Sequence, residues 1–64
     1  MPSFNSSAIK RGEYDPSSLR MTLWFHEGHS YTSCRVPSDV WDGLLNASSK
    51  GRYYAAYISG RYHC

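Results

Sequence analysis

Apolar and polar positions alternate most cleanly from residue 19 to residue 26. Leu19, Met21, Leu23 and Phe25 are interleaved with Arg20, Thr22, Trp24 and His26. That is the period-2 pattern of a strand with one apolar face. Glu27-Gly28 follows and reads as a two-residue hairpin loop, with Gly28 supplying a positive φ. Counting outward from that loop pairs Phe25 with Ser30, Trp24 with Tyr31, Leu23 with Thr32, Met21 with Cys34 and Arg20 with Arg35. One face then holds Leu19, Met21, Leu23, Phe25, Thr32, Cys34 and Val36. The other holds Arg20, Thr22, Trp24, His26, His29, Tyr31, Ser33 and Arg35.

An earlier β-like stretch runs from Ser6 to Tyr14, with Gly12 expected at a bulge or bend. Asp15-Pro16-Ser17-Ser18 joins it to the alternating strand as a turn. Past residue 36 the period changes. Val40, Trp41, Leu44 and Leu45 form one helical stripe, and Pro37 occupies a favoured first helical position. Gly43 weakens this helix by about 1 kcal/mol. Ser48 or Ser49 suits the cap of a second short helix. Tyr54 and Ile58 point it to the core, Tyr53 and Tyr57 flank that stripe, and Gly60 suits its stop. The expected fold class is α+β: a three-stranded antiparallel β-meander followed by two short helices packed on one face. Residues 1–5 read as a flexible N-terminus and 6–64 as a single domain.

Composition narrows the functions available. A chain of 64 residues has room for one small core and little for a deep catalytic cleft. No run approaches the ~20 apolar residues of a membrane helix. Met1 to Ser7 lacks the basic start and apolar core of a signal peptide, so a cytoplasmic location with reduced thiols is expected. The net charge of +2 is too low for strong non-specific binding of nucleic acid, since each phosphate contact needs a cation. The charge is unevenly spread, however. Glu13, Asp15, Glu27, Asp39 and Asp42 are all the acids, whereas residues 43–64 carry Lys50, Arg52, Arg61 and His63 without an Asp or Glu.

Several residues, taken in order, resemble a known family. They are Ser6-Ser7-Ala8-Ile9, Tyr14-Asp15-Pro16, the alternating strand to Phe25, Gly28, Tyr31, Val36-Pro37 and Leu44-Leu45. The series continues through Ala47-Ser48-Ser49-Lys50-Gly51-Arg52-Tyr53-Tyr54, Ile58 and Gly60-Arg61-Tyr62. The chain resembles a KTSC domain, a short module named for the C-terminus of some bacterial lysyl-tRNA synthetases and also found as small stand-alone proteins. The likeness runs from about Ser6 to Tyr62, and what it implies about function is RNA binding. The family's central Tyr-x-Tyr is here Tyr31-Thr32-Ser33. Ala55 stands where Asn is usual, Ser59 where Arg is usual, and the basic tail is reduced to His63-Cys64. Trp24 occupies a position that is usually polar.

The resulting expectation is a small non-catalytic binding module that contacts RNA, tRNA-like RNA above all. Arg20, Trp24, His26, His29, Tyr31 and Arg35 would serve it on the open sheet face, and Lys50, Arg52 and Arg61 on a basic C-terminal helix. Aromatic rings ringed by cations stack bases and meet phosphates. Arg20 facing Arg35 would call for an anion between them. The alternative is a protein-interaction module, or a small regulator of the bacterial or phage-borne kind, with Trp24 and Tyr31 as anchors. Nucleotide or cyclic-nucleotide binding on Trp24 is a further alternative. A homodimer through the free sheet edges is also possible. His26, His29, His63, Cys34 and Cys64 lack the spacing of a metal site, and no nucleophile, base and orienting group converge. No cofactor is expected. Cys34 is expected as a small core residue and Cys64 as a mobile terminal thiol, with a Cys34–Cys64 disulfide the lesser reading in a reducing compartment.

Overall fold

The structure, a computed structural model, describes residue 4 and residues 7–64. Ser6, where the first β-like stretch is expected to begin, and all of the expected flexible N-terminus except Phe4 lie outside these residues. Strands β1 (Ile9–Asp15), β2 (Arg20–Phe25) and β3 (Ser30–Ser33) precede helices α1 (Ser38–Asn46) and α2 (Lys50–Tyr53). The second helix runs on into one π-helical turn, Tyr54–Ile58, where the Ser59 N–H donates to Tyr54 O at 2.8 Å. The strands form an antiparallel meander in the order β1-β2-β3. The expected α+β architecture is therefore present.

The β1–β2 turn is built by Asp15. Its Oδ1 accepts from the Ser17 N–H at 3.0 Å and the Ser17 hydroxyl at 2.7 Å, and its backbone O accepts from the Leu19 N–H at 2.7 Å. These Ser17 bonds hold the Asp15 carboxyl below the usual carboxylate range. The strand irregularity falls at Lys10, between Ile9 and Arg11, and not at Gly12. Gly12 stays in the ladder opposite Leu23, where an added Cβ would sit 2.9 Å from Leu23 Cδ2 and 3.1 Å from the Trp41 ring. Close packing explains this glycine.

The β2–β3 loop is one residue longer than expected, and this changes the sheet. The Phe25 N–H donates to His29 O at 2.8 Å, and the Gly28 N–H to Phe25 O at 3.0 Å. The loop is thus His26-Glu27-Gly28. A two-residue type I′ turn needs positive φ at both central positions. Only Gly28 adopts one, at 97°. Drawing His26 into the loop lets Glu27 keep negative φ. The register shifts by one residue: Leu23 pairs with Tyr31, Trp24 with Ser30, Thr22 with Thr32 and Met21 with Ser33. A one-residue slip turns every side chain of a strand to the opposite face. Tyr31 and Ser33 therefore join the helix-covered side. Thr32 moves to the open face, its hydroxyl 3.2 Å from that of Thr22.

Beyond Ser33 the chain leaves the ladder. Arg35 has φ 57° and turns Val36 into the core, where the Val36 N–H donates to Leu19 O at 2.8 Å. Arg35 does not face Arg20; Asp15 does. The argument for an anion between two arginines lapses with that pairing.

The core consists of Ile9, Met21, Leu23, Val36, Trp41, Leu44 and Ile58, with Phe4, Tyr14, Phe25, Tyr53 and Tyr54 packed against it. The helices cover the Met21/Leu23/Phe25 face, as the alternation predicts. Pro37 is the residue before α1 and not its first helical position, with ψ 148°. Trp41 stacks on Tyr14 at 5.5 Å and 14°, and the Tyr14 hydroxyl donates to Val36 O at 2.7 Å. Ser49 caps α2 through the Arg52 N–H at 3.4 Å. The Tyr53 ring lies over Gly43, in the space a Cβ would need. Burial pushes the Tyr53 phenol up, and the Asp39 charge adds to it.

Cys34 and Cys64 are joined in a disulfide, which corrects the expectation of two free thiols. The Cys34 N–H also donates to Tyr62 O at 3.1 Å. The C-terminal tail is thereby held beside the end of β3. Thirty positions separate the two cysteines, a spacing that gives no hint that tail and strand meet.

Candidate functional site

The nine sequence-predicted residues do not form one patch. On the open sheet face, Trp24 lies opposite Arg11, whose guanidinium sits 4.5 Å from the indole centroid. Trp24 is half-buried beneath that cation and is not a bare platform. The same face carries Glu13 opposite Thr22 and Asp15 opposite Arg20. Two cations, Arg11 and Arg20, share it with two carboxylates. Such a face has little net attraction for a polyanion.

His26 lies in the hairpin loop. The His29 ring is 6.2 Å from that of Tyr31. Arg35 is exposed at its left-handed bend. Lys50 is engaged internally: its Nζ donates to Ala47 O at 2.8 Å and Leu45 O at 3.2 Å, carbonyls at the end of α1. A cation there also complements the helix dipole. Arg52 and Arg61 project to solvent.

Tyr31 is the exception, because the shifted register gives it new neighbours. Its ring meets Phe25 edge-on at 5.5 Å. Phe25 in turn meets Tyr54 edge-on at 5.3 Å. Tyr31, Thr32, Ser33, Tyr54, Ile58, Gly60, Tyr62 and His63 line a cleft of about 220 Å³ between β3, the π turn and the C-terminal tail. Each wall has a different origin. Tyr31 and Ser33 come from alternation along β3. Tyr54 and Ile58 come from the π turn. Tyr62 and His63 are held by the backbone bond at Cys34 and by the disulfide. Ser33 is a buried polar residue, 8% exposed, in a lining that includes three tyrosines.

The sequence places Tyr62 and His63 in the basic C-terminal segment and Tyr31 on the sheet, but it does not join them to one another or to Ser33 and Tyr54. No local pattern joins positions 31, 54 and 62. They meet only through the register of β3 and the path of the tail. No Asp or Glu side chain lines the cleft, and the segment from 43 to 64 that supplies two of its walls has none either. Among the described residues, no group of His, Cys, Asp and Glu is arranged to hold a metal ion, and no helix is long and apolar enough to cross a membrane.

Comparison with known proteins gives consistent matches. A model of the KTSC domain matches residues 5–62. A lysine–tRNA ligase from Nostoc sp. is 39% identical over 56 residues, covering 88% of this chain and 10% of the ligase. The chain thus spans about a tenth of the length of that relative. A protein from Tsukamurella paurometabola is 37% identical over 62 residues, 97% of this chain and 92% of that protein. The crystal structure of a KTSC domain protein from Yersinia pestis superimposes with a TM-score of 0.90 at 30% identity, covering 94% of this chain and 84% of that one.

Proposed function

The chain belongs to the KTSC domain family, and from that premise we propose that it is a non-catalytic RNA-binding module of the cytoplasm. The observation that carries this reading is the convergence of Tyr31, Tyr54 and Tyr62 on a cleft lined by no Asp or Glu, beside the basic segment. Aromatic rings supply stacking surfaces, and nearby cations supply phosphate contacts. Arg52 and Arg61, both exposed, are the cations of that segment free of the internal bonds that occupy Lys50. Arg35 follows Cys34, to which the tail is joined, and His63 lies in the tail itself. Sequence similarity to lysine–tRNA ligases brings tRNA forward as the first RNA to try. In a cytoplasmic setting the Cys34–Cys64 pair meets reducing conditions that favour the thiols, and the bond from the Cys34 N–H to Tyr62 O is then what holds the tail.

Fluorescence anisotropy with labelled tRNA tests this reading. Three or four phosphate contacts predict a roughly 20- to 50-fold loss of affinity between about 50 and 200 mM salt, from a slope of about −0.7 per contact. A partner bound with no such salt dependence would overturn the RNA reading in favour of a protein interface, whose apolar contacts respond little to ionic strength.

A further inference from the structure

Resting on the RNA reading above, we propose that the cleft between β3, the π turn and the C-terminal tail receives one unpaired nucleobase, with the attached phosphates held outside it. Size limits the occupant first. About 220 Å³ is below the roughly 300–1,000 Å³ of sites that hold drug-sized molecules. It suits a single planar ring system and excludes a stacked run of bases.

The lining suits a base in particular. Three tyrosines, Tyr31, Tyr54 and Tyr62, are among its lining residues. An aromatic wall favours a flat, polarisable ring over a branched aliphatic chain. A purely apolar occupant would leave the polar lining residues Ser33 and His63 without a partner in the cleft. A base carries donors and acceptors on its edges and can meet those groups while its faces stack. Arg61 follows the cleft residue Gly60, and His63 lines the rim. Backbone phosphates leaving the cleft would therefore meet cationic or neutral groups and no Asp or Glu of the lining.

The geometry also selects the form of the nucleic acid. Bases in a duplex are stacked and paired, and unpaired ones can be splayed out. A pocket for one base thus discriminates single strands, loops and ends from duplex. The walls are pre-formed: the hairpin register fixes Tyr31, and the bond between Cys34 N and Tyr62 O, together with the disulfide, fixes the tail. Little ordering is left to oppose binding.

The test compares a short single-stranded oligoribonucleotide with a blunt duplex of the same sequence, using the full chain, Tyr31→Ala and Tyr62→Ala. Tyr31 is 51% exposed, so its truncation leaves no core cavity. Thermal melts check that both variants fold. The single strand should bind more tightly than the duplex, and each substitution should weaken its binding by about 5- to 100-fold, the loss of one stacked base. Duplex affinity should be unchanged by either substitution. If RNA binds but the folded Tyr31→Ala variant binds the single strand as the parent does, the pocket assignment is overturned while the RNA reading stands. If neither RNA binds at low salt, both are overturned.

Discussion

Tyr31 stands directly across the sheet from Leu23, and its ring meets that of Phe25 edge-on at 5.5 Å and 84°. This pairing puts a half-exposed aromatic on the rim of the helix-covered face and leaves Trp24 on the other, beneath Arg11. The consequences for stability and binding are separable, residue by residue.

Gly43 is the first. Helix propensity alone predicts that Gly43→Ala stabilises α1 by about 1 kcal/mol. The Tyr53 ring occupies the space of the new methyl, so the substitution must displace a packed aromatic side chain. Net destabilisation of about 1–3 kcal/mol is expected. A thermal melt that moves upward would show that Tyr53 does not pack there.

The disulfide gives the second prediction. Closing a loop of 30 positions restricts the unfolded chain by about 3–4 kcal/mol. Cys34→Ser should cost that amount in urea unfolding, and adding a dithiol reductant to the parent should cost the same. Parent unfolding that is indifferent to reductant would contradict the pairing. The folded, reduced form should also bind single-stranded RNA more weakly, because Tyr62 and His63 lose their covalent anchor.

Lys50 separates structure from binding. Its ammonium caps the end of α1 through Ala47 O and Leu45 O. Lys50→Met should destabilise the fold by about 1–2 kcal/mol yet leave the salt dependence of RNA binding unchanged. Arg61→Ala should do the reverse, weakening binding across sequences and flattening the salt slope by about one phosphate contact. Salt titration of the two variants checks both outcomes.

Tyr14 makes stability sensitive to alkali. Burial raises its phenol above the ordinary value, and the charges of Asp42, Asp15 and Asp39 raise it further. The folded form therefore holds this proton more tightly than the unfolded form. Its contribution is fully present below about pH 10 and is lost as pH rises through the higher folded value. Tyr14→Phe removes the group. Its stability, followed by denaturant unfolding, should fall less steeply above pH 10 than that of the parent. An equal slope would show that Tyr14 does not couple to folding.

Much of this architecture is legible in the residues. The alternation at Met21, Leu23 and Phe25 identifies the covered face of β2, and the spacing of Trp41 and Leu44 identifies the buried side of α1. Gly60 marks the end of the helical segment, with φ 75°. The register of β3 is not legible from Gly28 alone, because the same glycine closes a two- or a three-residue loop. The intolerance of Glu27 for positive φ decides between them. That single residue of loop length moves Tyr31 from one face to the other and, with it, the candidate site. The cleft is harder still to read. Tyr31, Tyr54 and Tyr62 are brought together by a sheet register, a π turn and a tail held at Cys34, none of which has a local signature in the chain.

The most direct measurement is a titration of the isotope-labelled protein with a short single-stranded RNA, followed by amide and side-chain NMR shifts. The account predicts that the largest changes fall on Tyr31, Ser33, Tyr54, Tyr62 and His63, with the Trp24 indole N–H nearly unmoved. Changes centred on Trp24, Arg11 and Thr22, with the tyrosine cleft silent, would contradict it.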